Sequence, residues 1–133
     1  MTTEPLDRLQ RERNVWMATT RPDGRPHLAP VWFVYVDDAF WIGTGRGSVR
    51  VANLGHDPVA AVSLEDGDAP VTAEGRVTVH LDHRPAAVVA AFASKYDWDI
   101  TIDVDDDVGR VALLELRPTK WLFGLDLPVS AAS

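Results

Sequence analysis

The chain lacks cysteine and long apolar runs, and both absences limit what it can be. Without cysteine, neither a disulfide nor a thiolate metal site can form. The first residues, MTTEPLDRLQRERN, are charged and lack the apolar segment of a signal peptide. No stretch approaches the ~20 apolar residues of a membrane span. We therefore expect a cytoplasmic protein without a membrane partner.

Basic residues are scarce compared with acidic ones. The chain has 13 Lys and Arg against 20 Asp and Glu, for a formal charge of -7. This balance works against binding to nucleic acid, so we expect no such partner. No acidic residue lies between Asp38 and Asp57, where the basic side chains are Arg46, Arg50 and His56. This basic island is either an anion site or chance spacing on a solvated surface.

Length and composition predict one domain over residues 1–133, with its core at about residues 14–125. A chain of 133 residues with 46% hydrophobic content can bury a sizeable core. Five tryptophans are many for this length, and large flat side chains often serve ligand surfaces or interfaces as well as the core.

Short apolar segments between turn residues predict a mainly β protein. The residues from 27 to 36 are apolar almost without a break, which indicates a strand covered on both faces. Many short strands leave exposed edges unless the sheet closes, so we predict an antiparallel split β-barrel of six to seven strands with short helices. The predicted strands are 14–20, 27–36, 39–44, 59–64, 71–80, 110–116 and 121–125, and the predicted helices are 5–13, 49–54 and one capped by Asp82.

The segment WIGTGRGSVRVANL, residues 41–54, predicts a strand that ends in glycines and leads into a helix. Ser48 is the expected N-cap, and Arg50 falls in the first helical turn. First-turn amides have no intrahelical partner and attract anions, which favours a phosphate site. The glycine spacing matches neither a P-loop nor a dinucleotide motif. A tight connection that needs glycine only for its geometry remains the alternative.

The segment PDGRPHLAPVWFVYVDDAFWIGTGRGSVRVANLGHDPVAAVSLED, followed by VTAEGRV, resembles a known family. It is similar to the pyridoxamine 5'-phosphate oxidase-like FMN-binding split barrels, in particular their flavin/deazaflavin (F420) oxidoreductase branch. The shared order is DGRPH, an apolar strand, a glycine or serine turn, a basic residue, Asn-Leu and Asp/Asn-Pro. The resemblance spans about residues 14–125 and implies a homodimer with two cofactors at the subunit interface.

The resemblance also implies which residues bind the cofactor. Arg50 matches the basic residue that holds the phosphate, with hydroxyls nearby and a partly structural asparagine in the following helix. The flavin ring is expected along the second strand, with a tryptophan near the C-terminus reaching it from the partner subunit or else packing in the core. The implied cofactor-binding residues are Pro30, Val31, Trp32, Gly43, Thr44, Gly45, Ser48, Val49, Arg50, Asn53 and Trp121.

The resemblance implies an oxidoreductase that uses FMN or F420 and transfers hydride to or from a small organic substrate. The alternatives are a non-catalytic flavin carrier, a pyridoxamine phosphate oxidase-like oxidase, and a ligand-free interaction domain. The absence of arginine after Arg117 argues against the oxidase, and eleven arginines against two lysines slightly favour F420. No general acid or base is assigned. We predict no metal site, since His80 and His83 suggest a surface pair and the acidic run of residues 97–107 lacks the EF-hand glycine and glutamate.

Overall fold

The computed structural model describes residues 3–102, 110–123 and 129. Within these residues, six strands and three helices follow one another. In order they are α1 (Thr3–Arg11), β1 (Asn14–Thr20), β2 (Pro26–Val36), β3 (Ala39–Gly45), α2 (Val49–His56), β4 (Val59–Leu64), β5 (Thr72–His80), α3 (Ala86–Tyr96) and β6 (Val111–Phe123).

The strands close into an antiparallel barrel in the order β1-β2-β3-β6-β5-β4. This confirms the predicted barrel and its short helices. The pairing of β2 with β3 runs from Phe33↔Ile42 to Val36↔Ala39 only. The earlier residues of β2, from Pro26 to Trp32, pair with β1. Within the described part of the chain, the barrel is therefore split between the first half of β2 and the end of β3.

Alternating burial explains why these segments form strands. In β1, Val15 and Met17 are buried while Trp16 between them is exposed. In β2 the run from Phe33 to Tyr35 is buried at every position. The prediction that the second strand is covered on both faces therefore holds only for this part, where one face lines the barrel and α3 packs on the other. It is wrong for the first half of β2, where Leu28 and Trp32 are exposed.

The buried residues form two clusters. The first fills the barrel interior and includes Leu9 of α1, which closes one end of the barrel. The second lies outside the barrel wall, between α3 and the outer faces of β2, β3 and β6. Its members are Val34, Ala39, Trp41, Val88, Phe92, Tyr96, Ile100 and Leu113.

The barrel has six strands among the described residues, within the predicted six to seven, but the predicted break between the last two strands is wrong. The turn signal RPTK lies inside β6, which runs unbroken from Val111 to Phe123. The irregularity is absorbed in the β5–β6 pairing, where the register shifts between Glu74 and Gly75. A side chain at Gly75 would collide with the carbonyl of Arg117. Glycine at this bulge thus lets one strand accommodate Pro118.

The predicted start of the last helix is also displaced. Pro85, not Asp82, is the N-cap of α3. The carboxylate of Asp82 instead accepts from Arg46 at 3.2 Å. Among the described residues, none of the helices is long and apolar enough to cross a bilayer.

Candidate functional site

The glycine stretch folds as predicted into the end of β3, a turn and the helix α2. Ser48 is the N-cap, with extended φ and ψ of -70° and 155°. Its Oγ accepts a hydrogen bond from the amide of Val51 at 3.4 Å. The N-terminus of α2 therefore begins at the residue that the capping signal predicted.

Arg50 turns back from α2 toward β3. Its Nη1 donates to Oγ1 of Thr44 at 2.6 Å, and that hydroxyl donates to Oγ of Ser48 at 3.3 Å. We call Thr44, Ser48 and Arg50 the Arg50 cluster. Burial lowers the pKa of Arg50 from its ordinary value, but an arginine this far above neutrality keeps its charge. The cluster offers an anion one positive group and two hydroxyls.

Arg50 lines a cleft of about 470 Å³, whereas its partners Thr44 and Ser48 lie behind it, outside the lining. This volume is in the range of cofactor and small-molecule sites. The cleft opens where β2 and β3 separate, so its walls come from those strands, from α2 and from the end of α3. Its lining residues are Pro30, Val31, Trp32, Gly43, Arg50, Tyr96, Asp97 and Trp98.

Three aromatic side chains form the wall opposite the Arg50 cluster. Trp32 and Tyr96 are stacked, with ring centroids 4.5 Å apart and planes 11° from parallel. Trp98 meets Trp32 edge-on at 6.1 Å. Trp32 is 41% exposed. The cleft lining thus combines the cationic side chain of Arg50 with an aromatic wall, next to which Asp97 also lies.

Gly43 lies in the cleft lining, directly against this aromatic wall. A Cβ at Gly43 would lie 2.6 Å from Cη2 of Trp98, well inside van der Waals contact. The missing side chain therefore lets the indole lie against β3. The contact of Gly43 with a cofactor remains a prediction.

Tyr96 is held in the wall by its hydroxyl. The oxygen accepts from the amide of Phe33 at 3.0 Å and lies 2.8 Å from the carbonyl of Phe33 and 2.7 Å from that of Arg13. Burial raises the pKa of Tyr96, partly offset by the hydrogen bond to Phe33 and the charge of Arg13. The phenol is therefore neutral at physiological pH and serves to fix the ring.

Several predicted site residues lie outside the lining of the cleft. Asn53 is buried and donates from Nδ2 to Oγ1 of Thr19 at 3.0 Å, which ties α2 to β1. Trp121 packs against Tyr35 and Phe40, with ring centroids 6.3 and 5.8 Å away. Gly45 ends β3 and Val49 is exposed at the start of α2. Their roles toward a cofactor remain predictions.

The sequence reasoning missed three lining residues, Tyr96, Asp97 and Trp98. Tyr96 was assigned only to the apolar face of a helix, and Asp97 and Trp98 to an acidic loop. Asp97 ends α3 with φ of 54°, in the left-handed region, which turns the chain back toward β3. The available signal was the close spacing of two large aromatics around a helix end in a tryptophan-rich chain.

His80 and His83, the histidines considered for a metal site, lie next to each other outside the cleft lining. Nε2 of His80 lies 2.8 Å from Oε1 of Glu115, and the His80 and His83 ring centroids are 5.3 Å apart. Within the described residues, no group of three or more His, Cys, Asp or Glu side chains could hold a metal ion. Most of the acidic run considered for calcium, residues 103–107, lies outside the described residues.

A sequence profile of the pyridoxamine 5'-phosphate oxidase family matches residues 1–123, nearly the whole chain. The chain belongs to this family. Among curated proteins, no sequence relative matches it. The cleft between β2, β3 and α2 therefore lies in a member of a family whose split barrels bind flavins.

Solved structures with the same fold include proteins of differing function. An F420 reductase has 22% identity over 86% of this chain and 93% of its own, with a TM-score of 0.67. A pyridoxamine 5'-phosphate oxidase-related, FMN-binding protein from Nostoc punctiforme has 18% identity over 80% and 71%, with a TM-score of 0.61. The heme storage protein HutZ from Vibrio cholerae has 18% identity over 93% and 98%, with a TM-score of 0.70. At these identities the likeness shows the fold, the split barrel of the family.

Proposed function

We propose that this protein binds FMN or F420 in the cleft and acts as an oxidoreductase on a small organic substrate. The observation that carries the proposal is the Arg50 cluster, a guanidinium hydrogen-bonded to a hydroxyl at a helix N-terminus and opening into a cleft of suitable volume. Family membership and the FMN- and F420-related neighbours support it. Cytoplasmic location remains part of the proposal.

The residues of the cleft fit such a cofactor by their chemistry. Arg50 would hold the phosphate, with Thr44 and Ser48 as hydroxyl partners. Residues 30–32 would flank the ring, where β2 has left β3 and an unpaired strand edge faces the cleft. When bound, either cofactor supplies hydride transfer, and FMN adds one-electron chemistry. The protein's own contribution is binding, orientation and exclusion of water.

The second element of the proposal is a homodimer with the cofactor at its interface. Large apolar side chains are exposed on the outer face of β1, β2 and β4, where a monomer would leave them in water: Trp16, Leu28, Trp32 and Val59. Trp16 pairs directly with Pro30 across the β1–β2 ladder. Because Pro30 and Trp32 also line the cleft, a partner covering this face would reach the cofactor site.

The test is a parallel fluorescence titration with FMN and with F420, after light scattering has given the mass of the purified protein. We expect Arg50→Ala to weaken binding by about 10- to 100-fold, because charge-assisted hydrogen bonds to phosphate are worth roughly 1.5–3 kcal/mol. Arg11→Ala is the matched control, since Arg11 is exposed on α1 and outside the cleft lining. It should bind like wild type.

Two outcomes contradict the proposal. If neither FMN nor F420 binds, the barrel is an interaction domain. If Arg50→Ala binds as tightly as wild type, the phosphate is held elsewhere. Binding without turnover of the reduced cofactor by any of a panel of quinone, nitro and enone acceptors favours the alternative, a non-catalytic flavin carrier.

A further inference from the structure

His27 lies on β2, close to the helix that carries Arg50. It pairs with Thr19 across the β1–β2 ladder, so the two side chains share the inner face. Thr19 is 2% exposed and accepts from Asn53 of α2 at 3.0 Å. His27 is therefore paired with the residue on which α2 is anchored, and that anchor, Asn53, lies one helical turn after Arg50.

The imidazole of His27 has an unusual environment. Its Nδ1 is buried and makes no hydrogen bond among the described residues. The charges that act on the ring come from Arg21, after β1, and from Arg50, on α2, and both are positive. Burial, followed by these two arginines, lowers the pKa of His27 from its ordinary value. The ring is thus neutral at pH 7, with one nitrogen unsatisfied.

An anion bound at the Arg50 cluster would reverse the electrostatic effect on His27, so that the protonated ring is favoured. The charge of Arg50 reaches the imidazole, so an anion that pairs with Arg50 must also act on the imidazole, with the opposite sign. A phosphate dianion carries more charge than one arginine and so would favour the protonated ring. No carboxylate is among the groups that act on His27 in the described structure, so nothing else there provides this compensation.

We propose that His27 and Arg50 form one anion site, in which occupation of the Arg50 cluster by a phosphate group is coupled to proton uptake by His27. The inference rests on the proposed function only in taking phosphate as the ligand. Coupling is reciprocal, so the phosphate raises the affinity of the ring for a proton, and lower pH raises the affinity for the phosphate. His27 acts here as a positioning residue, through charge.

The direct test is the titration of the His27 ring by NMR in the free protein, with saturating inorganic phosphate and with saturating FMN. His27→Gln identifies the resonance. We expect the pKa of His27 to rise by about one unit on saturation, which corresponds to about a tenfold change in affinity. An unchanged pKa of His27 with the site saturated overturns the proposal.

The pH dependence of FMN affinity gives the second readout. Between pH 8 and pH 6, wild type should gain roughly threefold in affinity relative to His27→Gln, because the full tenfold effect of a one-unit rise is reached only below the pKa of the free ring. The comparison cancels the titration of the phosphate itself, whose second pKa is about 6. His56→Gln, a change at the exposed end of α2, is the control and should follow wild type. Parallel profiles for wild type and His27→Gln contradict the coupling.

The outcomes separate this inference from the proposed function. If FMN binds and Arg50→Ala weakens it, while the pKa of His27 stays fixed, the proposed function stands and the coupling is wrong. If neither FMN nor inorganic phosphate binds, both are wrong. If inorganic phosphate binds at Arg50 and shifts His27 while FMN does not bind, the coupling stands and the flavin assignment falls.

Discussion

Glycine and arginine serve different purposes on the two sides of this barrel. We call the side where β5 and β6 pair, and where the loop before α3 packs on them, the closing side. There the glycine and the arginine have backbone atoms as their neighbours. Arg46 donates to the carbonyls of Leu81 and Val111, and Gly75 faces the carbonyl of Arg117. On the cleft side the neighbours are side chains: Trp98 at Gly43, and Thr44 at Arg50.

The difference separates folding from binding. A carbonyl in a ladder or loop cannot move without moving the chain, so a residue fitted to it is committed to the fold. A side-chain partner can rotate away, and a ligand atom can take its place at modest cost. Arg46 and Arg50 are four residues apart in one basic island, yet only Arg50 opens into the cleft.

The largest effect expected from this comparison is at Gly75. Gly75→Ala places a Cβ against the carbonyl of Arg117, which the bulge holds in place. We expect a loss of about 3 kcal/mol in the free energy of unfolding, at the upper end for overpacking. Urea denaturation measures it.

Gly43→Ala is the matched variant, because its Cβ meets the outer edge of a tryptophan ring that can shift. We expect a loss of about 1 kcal/mol, together with a change in tryptophan fluorescence as Trp98 moves in the cleft. Equal losses of stability in the two variants would contradict the distinction between backbone and side-chain neighbours.

Arg46→Ala should produce a smaller loss of stability than Gly75→Ala and leave binding intact. It removes hydrogen bonds from a charged donor to two carbonyls, for about 1–2 kcal/mol, with little from the exposed partner Asp82. FMN affinity should stay within about twofold of wild type, since the guanidinium points away from the cleft. A loss of affinity like that of Arg50→Ala would show that both arginines hold the ligand.

The barrel could be predicted from the sequence because its signals are local. Alternation in β5, the continuous apolar run of β2 and the Ser48 cap each act over a few residues. The unbroken last strand could not be predicted, because RPTK is a turn signal. It forms part of a strand here only because the bulge at Gly75 on the neighbouring strand accommodates it. Tertiary pairing overrode local propensity there.

Only about half of the residues that line the cleft could be predicted from the sequence. Arg50 follows from the glycine stretch, and residues 30–32 follow from the resemblance to the split-barrel family. The aromatic wall arises from the meeting of α3 with β2 and β3, which lie 41 or more residues before it in the chain. No local pattern shows that Trp98 covers Gly43. Likewise, the sequence shows two arginines in one island but not which one faces the cleft.

The last prediction concerns Lys95, which challenges the comparison between the two sides. It lies beside the cleft, yet its ammonium group donates to backbone carbonyls. Its Nζ donates to the carbonyls of Phe33 at 3.0 Å and Leu9 at 3.4 Å, 3.9 Å from the centroid of the Phe33 ring. Burial, with the charge of Arg13, lowers the pKa of Lys95 to about 8, which Glu12 partly offsets.

Because this pKa is below that of an unfolded lysine, the unfolded chain holds a proton that the folded protein has released above pH 8. The free energy of unfolding should therefore rise with pH between about 8 and 9.5, before tyrosines ionise in the unfolded chain near pH 10. Urea denaturation at pH 7.5, 8.5 and 9.5 measures the slope.

Lys95→Met should lack the rise in the free energy of unfolding. Lys120→Met, a change at the other lysine, which is exposed on β6, should keep it. A rise that survives in Lys95→Met would assign it to another group, and Lys95 would then be a cation fixed by its carbonyls, like Arg46 on the closing side.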